Sequence, residues 1–316
     1  MCDRAPFRGY RGVVSTMMRA RSDLSARAPG VVSGMLAPLL GALLSALGVL
    51  GTWWVFVTTG PGQLMDDAAW QGSQFGRRTL SSVTMPVLEV VSAPFIVGAV
   101  VASALIAIAQ RRWSIAGGAV VLLAGANLTT QLLKKLLLER PDLDLTELHL
   151  NSLPSGHTTV AASVAATALL ISPGRWRGTV AIVGTAYAAA TGLATMVGGW
   201  HRPSDVVAAY AVAAFWYFVV EAARTIPARH PLPRGYRGAP GRNALTILAL
   251  VAGVCGAVAL AVLGITAVRA PVVSSTGEVV AYVGSCFGVV AVAALAGLAM
   301  LAMRPRHAAS SYSAGS

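Results

Sequence analysis

The sequence predicts an all-α integral membrane protein, a polytopic bundle of about eight transmembrane helices with a six-helix core and both termini in the cytoplasm. Three observations point there. Hydrophobic residues make up 55% of the 316 positions and charged residues only 11%, where a soluble domain carries roughly a quarter charged residues; mean hydropathy is +0.67. The chain contains repeated apolar runs of bilayer length, ~20 residues. Its basic residues collect in the short segments between those runs, which is the charge pattern of membrane topology.

In chain order, residues 1–30 spread Arg4, Arg8, Arg11, Arg19, Arg21 and Arg27 ahead of any long apolar stretch. A secretory signal places a short basic region directly against its apolar core, so this segment reads as a basic cytoplasmic tail. Apolar runs follow near 31–58, 85–109, 114–138, 178–199, 203–226, 244–268 and 280–303. A shorter run, 157–172, begins after "PSGH" and ends at "PGRWR"; it is the remaining helix. Continuous apolar runs fit helices rather than a barrel, whose strands alternate. The polar stretch "MDDAAWQGSQFGRR" at 65–78 reads as an outer segment between the first two spans. The expected organisation is a six-helix membrane domain at 31–226, a basic Pro/Gly-rich linker at 227–243, an added two-helix hairpin at 244–303 and a cytoplasmic tail at 304–316.

Orientation follows from charge. With the N-terminus inside, the inner segments are 1–30, Arg111–Arg112, Arg175–Arg177, 224–243 and the tail from Arg304, and they hold 17 of the 24 basic residues. The polar segments 65–78, 139–156 and 199–204 then share the outer side. A net charge of +12 arranged this way argues for membrane topology and against a nucleic-acid partner. Cys2, Cys255 and Cys286 are far apart and show neither a disulfide framework nor metal-ligand spacing.

Three clusters near the outer side carry reactive residue types. In "QLLKKLLLERPD", Lys134 and Lys135 are the only lysines of the chain and lie near the end of a span, where charge is costly and functional by default, although snorkelling to headgroups gives the same pattern. Arg140 follows just past the helix. In "NSLPSGHTTVAA", Ser155 is an expected N-cap, and the helix starting near His157 offers free N–H groups suited to an anion, with Gly156 permitting close approach. In "MVGGWHRPSDVV", His201 and Asp205 stand four apart, and Pro203 fits a first helical turn. At that spacing Asp205 reaches one imidazole nitrogen, fixes the tautomer and leaves the other nitrogen to attack or move protons. Two histidines, a carboxylate and three cations on one side of the membrane suit phosphoryl transfer, which needs positioning and charge neutralisation. No cofactor and no metal motif is called for.

These residues resemble the type 2 phosphatidic acid phosphatases (PAP2) and the related vanadium haloperoxidases. The family's signatures are a Lys followed by Arg-Pro, a Pro-Ser-Gly-His, and a Ser-Arg then His then Asp. Here they correspond to "KKLLLERP" (134–141), "PSGH" (154–157) and "HRPSD" (201–205), and the resemblance covers roughly 85–226. It implies that His201 attacks phosphorus to form a phosphohistidine, that Asp205 orients it, and that His157 protonates the leaving oxygen. It further implies that Lys134 or Lys135, Arg140, Ser155 and the Gly156 amide hold the phosphate.

The chain departs from the pattern twice. The family places six residues between Lys and Arg-Pro, whereas five separate Lys134 from Arg140 and four separate Lys135 from it; since one residue turns a helix by about 100°, the favoured lysine is Lys134. The Ser-Arg pair falls on Ala194 and Thr195. Thr195 offers only a hydroxyl, and Arg202, adjacent to His201, is the candidate replacement clamp.

The expectation is therefore a plasma-membrane enzyme that dephosphorylates a lipid phosphate or prenyl (di)phosphate at the outer face. The alternatives are a lipid-linked phosphotransferase of the same fold and a catalytically impaired lipid-phosphate binder; a homo-oligomer is left open. A transporter has only Glu89 and Pro94 in the second span in its favour.

Overall fold

The computed structural model describes residues 35–90, 98, 113–145, 151–224, 241–269 and 274–303. They are helical throughout apart from short connections, with no strand among them. Helix α1 covers Met35–Val57 and α2 covers Gly60–Val90. Helix α3, Trp113–Leu132, runs on through a π-helical turn at Leu133–Leu137. Then come α4 (Gly156–Ile171), α5 (Arg177–Val197), α6 (Pro203–Arg224), α7 (Arg242–Arg269) and α8 (Ser275–Ala302).

Local chemistry sets the starts. Ser155 caps α4 by accepting the Thr158 amide at 3.4 Å, and Ser274 caps α8 by accepting the Gly277 amide at 3.2 Å. Pro203 opens α6, where its missing N–H costs no hydrogen bond. Among the described residues six helices are long and apolar enough to cross a membrane: α1, α3 with its π-turn, α5, α6, α7 and α8. Helix α4 has 16 residues and is too short to cross a hydrocarbon core of ~30 Å by itself at ~1.5 Å per residue.

Helix α6 is the centre of the bundle. Two thirds of its most apolar stretch (67%) is buried, against 11% for α7, so α6 faces protein and α7 is left for lipid. Helix α6 packs on α2, α3, α4 and α8, and its Tyr210 hydroxyl donates to the Ala188 carbonyl of α5 at 3.0 Å. Helix α8 pairs with α7 and also packs on α2, α5 and α6.

Two devices bring these helices close without a water-driven hydrophobic effect between them. One is the small residue. At Gly125 a side chain would begin 2.5 Å from the Trp216 ring, and at Gly72 it would strike the Glu278 carbonyl oxygen. The other is the interhelical hydrogen bond: Trp216 Nε1 donates to Thr129 Oγ1 at 3.0 Å, the Thr130 and Thr159 hydroxyls pair at 3.0 Å, and Asn127 Nδ2 donates to Ser163 Oγ at 3.3 Å.

The sequence expectations need three adjustments. The segment 65–78 is not an outer loop; it lies within α2, which starts at Gly60 because the chain turns tightly after α1. The expected second span, 85–109, enters the described residues only through the end of α2 and Gly98; the 1–30 tail, most of the 227–243 linker and the 304–316 tail lie outside them. Arg177, counted among the basic residues of the inner segments, is 3% exposed and has a packing role as well. Its guanidinium donates to the Leu169 carbonyl at 3.0 Å and to the Tyr217 hydroxyl at 3.2 Å, and Tyr217 donates on to the Met300 carbonyl at 3.2 Å. This chain fastens the far ends of α4, α6 and α8.

Filling the Gly125 contact tests the packing. Gly125→Leu is expected to displace the Trp216 ring and cost about 1–3 kcal/mol, seen as a lower unfolding temperature of the detergent-solubilised protein; Gly117→Leu, where nothing lies within 4 Å, is expected to leave it unchanged.

Candidate active site

The site is built where α5 turns into α6. Helix α5 ends at Val197 with Gly198 as its C-cap, and Gly199 takes φ +70°, a left-handed conformation that favours glycine. The Trp200 amide returns to the Thr195 carbonyl at 3.0 Å and closes the turn. His201 and Arg202 then stand immediately before α6.

His201 Nδ1 lies 3.0 Å from Asp205 Oδ2. The same carboxylate oxygen accepts the Ser152 hydroxyl at 2.6 Å and the Arg202 amide at 3.0 Å. A carboxylate only accepts, so Nδ1 carries the imidazole proton and Nε2 the lone pair. His201 is 10% exposed and Asp205 3%, which leaves the pair dry but reachable. The Asp205 carbonyl also accepts the Ser155 amide at 2.9 Å, joining the first turn of α6 to the N-cap of α4.

That junction carries the second histidine. His157, in the first turn of α4, stacks at a tilt on Trp200 with centroids 5.4 Å apart. It lies within electrostatic reach of His201 and Lys134. Gly156 beside it is half-buried, and nothing occupies the space within 4 Å where its side chain would be. The first amides of α4 have no acceptor inside the helix, so the open face at Gly156 is an anion-compatible surface. Ser155 is placed differently. It is fully buried, and its hydroxyl serves as the helix cap.

Of the two lysines, Lys134 is half-buried and interacts electrostatically with Asp205, whereas Lys135 is exposed. Both sit in the π-turn, closed by the Leu138 amide on the Leu133 carbonyl at 2.9 Å. Arg140 follows, half-buried and within electrostatic reach of Arg202, Asp66, Asp205 and Asp67. The backbone on either side of it is held by three bonds: Trp53 Nε1 donates to the Glu139 carbonyl (3.0 Å), Gln63 Nε2 to the Pro141 carbonyl (3.0 Å) and Asn151 Nδ2 to the Leu138 carbonyl (2.7 Å).

The two residues considered for the missing clamp diverge. Thr195 is fully buried and donates its hydroxyl to the Gly192 carbonyl at 2.7 Å. Its hydroxyl is spent within its own helix, as a threonine that back-bonds to a carbonyl one turn earlier does. Arg202 is 4% exposed, with Nη2 3.9 Å from Asp67 Oδ1. It is at the site, but it is ion-paired.

Sequence reasoning missed the contribution of α2. Gln63, Asp66, Trp70, Ser73 and Arg77 recur at spacings of three and four, which aligns them on one helix face. Asp66 bonds Ser204 through both oxygens. Trp70 Nε1 donates to the Gly199 carbonyl at 2.9 Å. The Arg77 guanidinium packs on Gly199 so closely that a side chain there would overlap it. The heptad-like polar stripe was the available signal. Ser152, which holds Asp205, was also missed; nothing in its spacing announces the contact. Among the described residues no group of three or more His, Cys, Asp or Glu is placed to hold a metal ion.

The three signatures thus meet in one place. Residues 115–226 match the PAP2 superfamily. No curated protein and no solved structure matches the chain. The PAP2 match runs from α3 to just beyond α6, so it contains Lys134, Arg140, His157, His201 and Asp205, and it supports a phosphatase-type superfamily for these residues. Helices α1, α2, α7 and α8 lie outside the matched residues.

Gly199→Ala tests the turn beneath His201. The positive φ and the Arg77 contact are expected to cost about 1 kcal/mol or more, read as a lower melting temperature; Gly198→Ala, at ordinary helical angles, is expected to cost less.

Proposed function

We propose that the protein is a membrane phosphatase that removes phosphate from a lipid phosphate or lipid diphosphate at the extracytoplasmic face of the plasma membrane, through a phosphohistidine on His201. The observation that carries this reading is the His201–Asp205 pair at 3.0 Å, set beside His157, Lys134 and Arg140. The charge pattern of the segments between spans supports the outer orientation.

The chemistry balances with these residues. The Nε2 lone pair of His201 attacks phosphorus, and the bond from phosphorus to the lipid oxygen breaks. His157, protonated, gives that oxygen its proton. Asp205 stabilises the positive charge that the His201 ring acquires, as the carboxylate of a nucleophile–base pair does. Lys134, Arg140 and the open first turn of α4 at Gly156 neutralise the phosphoryl oxygens. His157, now neutral, takes a proton from the water that attacks phosphorus and releases inorganic phosphate from His201. The apolar spans around the site flank the lipid tail.

Purified protein is expected to release inorganic phosphate from phosphatidate or from prenyl diphosphates. His201→Ala is expected to reduce turnover by about three orders of magnitude or more, and turnover that persists in this variant refutes the mechanism. Asp205→Asn is expected to lower kcat by about two to four orders of magnitude through loss of the acceptor that fixes the tautomer. Lys134→Ala is expected to weaken phosphate retention by about tenfold while Lys135→Ala stays near wild type. Arg202 is proposed as an additional cation near the phosphate; Arg202→Ala with full activity and unchanged KM rules it out.

A further inference from the structure

Helix α2 lies outside the PAP2 match, yet one of its carboxylates holds the helix that carries Asp205. Asp66 is 2% exposed. Its Oδ1 accepts the Ser204 amide at 3.1 Å and its Oδ2 pairs with the Ser204 hydroxyl at 2.6 Å. Ser204 is the second residue of α6, between His201 and Asp205 in the chain. A helix start requires acceptors for its first amides. The residue preceding α6 is Arg202, whose side chain has no acceptor, so one amide of that first turn is satisfied from a different helix. Asp66 also brings negative charge to an N-terminus, where the helix dipole favours it.

We propose that Asp66 is a positioning residue for the nucleophile: by gripping Ser204 it sets the first turn of α6 in the register at which Asp205 meets His201. The inference rests on the phosphatase reading for its kinetic consequence, and on geometry alone for its structural one. The charged groups facing Asp66 are Asp205 and Arg202 at the start of α6 and Arg140 from the loop after α3. Asp67 follows it on α2. From α7 and α8 it is faced across a small cavity by Leu263 and Ser285, which carry no charge.

Burial, reinforced by the negative charge of Asp205, pushes the Asp66 carboxyl up to about 7. Both contacts to Ser204 survive a change of state. Ionised, Asp66 accepts twice; neutral, its protonated oxygen donates to the Ser204 hydroxyl and the other still accepts the amide. What changes is charge. As pH rises through about 7, a negative charge appears in a site that has to take up a phosphate, so phosphate binding weakens. Asparagine reproduces the neutral form: Oδ1 accepts the amide and Nδ2 donates to the hydroxyl.

The test uses full-length protein in detergent with phosphatidate as the probe. Asp66→Ala is expected to lower kcat by about tenfold or more with KM within about threefold at pH 6. Asp66→Asn is expected to restore kcat to within about threefold of wild type and to remove the rise in KM that wild type shows between pH 6 and 8. Ser204→Ala, which removes the hydroxyl contact and keeps the amide one, is expected to lower kcat less than Asp66→Ala and to add little on top of it, because Asp66→Ala already removes both contacts. A readout free of turnover is the Nδ1–H proton resonance of His201, assigned by its loss in His201→Ala. It is expected in wild type and Asp66→Asn, and weakened or lost in Asp66→Ala. Wild-type kcat in Asp66→Ala overturns the proposal. So does an Asp66→Asn variant as impaired as Asp66→Ala, or an unchanged His201 resonance in Asp66→Ala. Absent turnover in wild type, or turnover surviving His201→Ala, overturns the phosphatase reading instead and leaves the resonance to decide the role of Asp66.

Discussion

A single carboxylate oxygen organises the site. Asp205 Oδ2 receives the imidazole of His201, the hydroxyl of Ser152 and the backbone amide of Arg202, while the backbone carbonyl of Asp205 receives the amide of Ser155. Those donors come from the turn after α5, the loop before α4 and the cap of α4. Removing a buried charge from water is costly unless its acceptor capacity is filled, and here filling it brings the turn after α5 and the loop before α4 into register with α6. The positions of both histidines are tied to Asp205: His201 through the carboxylate, and His157 because the helix that carries it starts at Ser155, whose amide the Asp205 carbonyl accepts.

Which parts of this were legible in the sequence depends on whether a contact is local. His201 and Asp205 are four residues apart across a helix start, so their meeting is a matter of helical geometry and is visible in the spacing. The capping of α4 by Ser155 is equally local. Spans such as α5, α6, α7 and α8 are announced by uninterrupted apolar runs. The α2 contribution was hidden because its polar residues resemble those of a loop. In water a helix face of Asp, Gln, Ser and Arg points outward, whereas at the membrane boundary the same stripe turns inward to grip the backbone of other segments. The bonding of Thr195 was hidden for a related reason: its hydroxyl has a partner within its own helix, the Gly192 carbonyl at 2.7 Å.

The membrane explains why so many of these links are hydrogen bonds rather than apolar contacts. Lipid tails compete equally for leucine, so packing specificity has to come from small residues and polar pairs. Gly125 under Trp216, Gly72 against α8 and the Thr130–Thr159 pair are of this kind. The outer helices obey the complementary rule. Helix α7 is the most apolar span and the least buried, which suits a surface presented to hydrocarbon. Helix α8, its hairpin partner, is bound into the bundle through α2, α5 and α6, so α2 is held from behind while its polar face holds the site.

Charge balance links this architecture to the proposed chemistry. Lys134, Arg140 and Arg202 share one region with Asp66, Asp67 and Asp205, so cations and carboxylates are matched before any substrate arrives. A matched set is inexpensive to keep half-buried but offers little net attraction to an anion. The proposed role of Asp66 meets this conflict: with Asp66 protonated, the positive charges of the region exceed the negative ones. The burial that raises Asp66 is the same burial that lets it hold α6, because a well-solvated carboxylate at the bilayer surface would do neither.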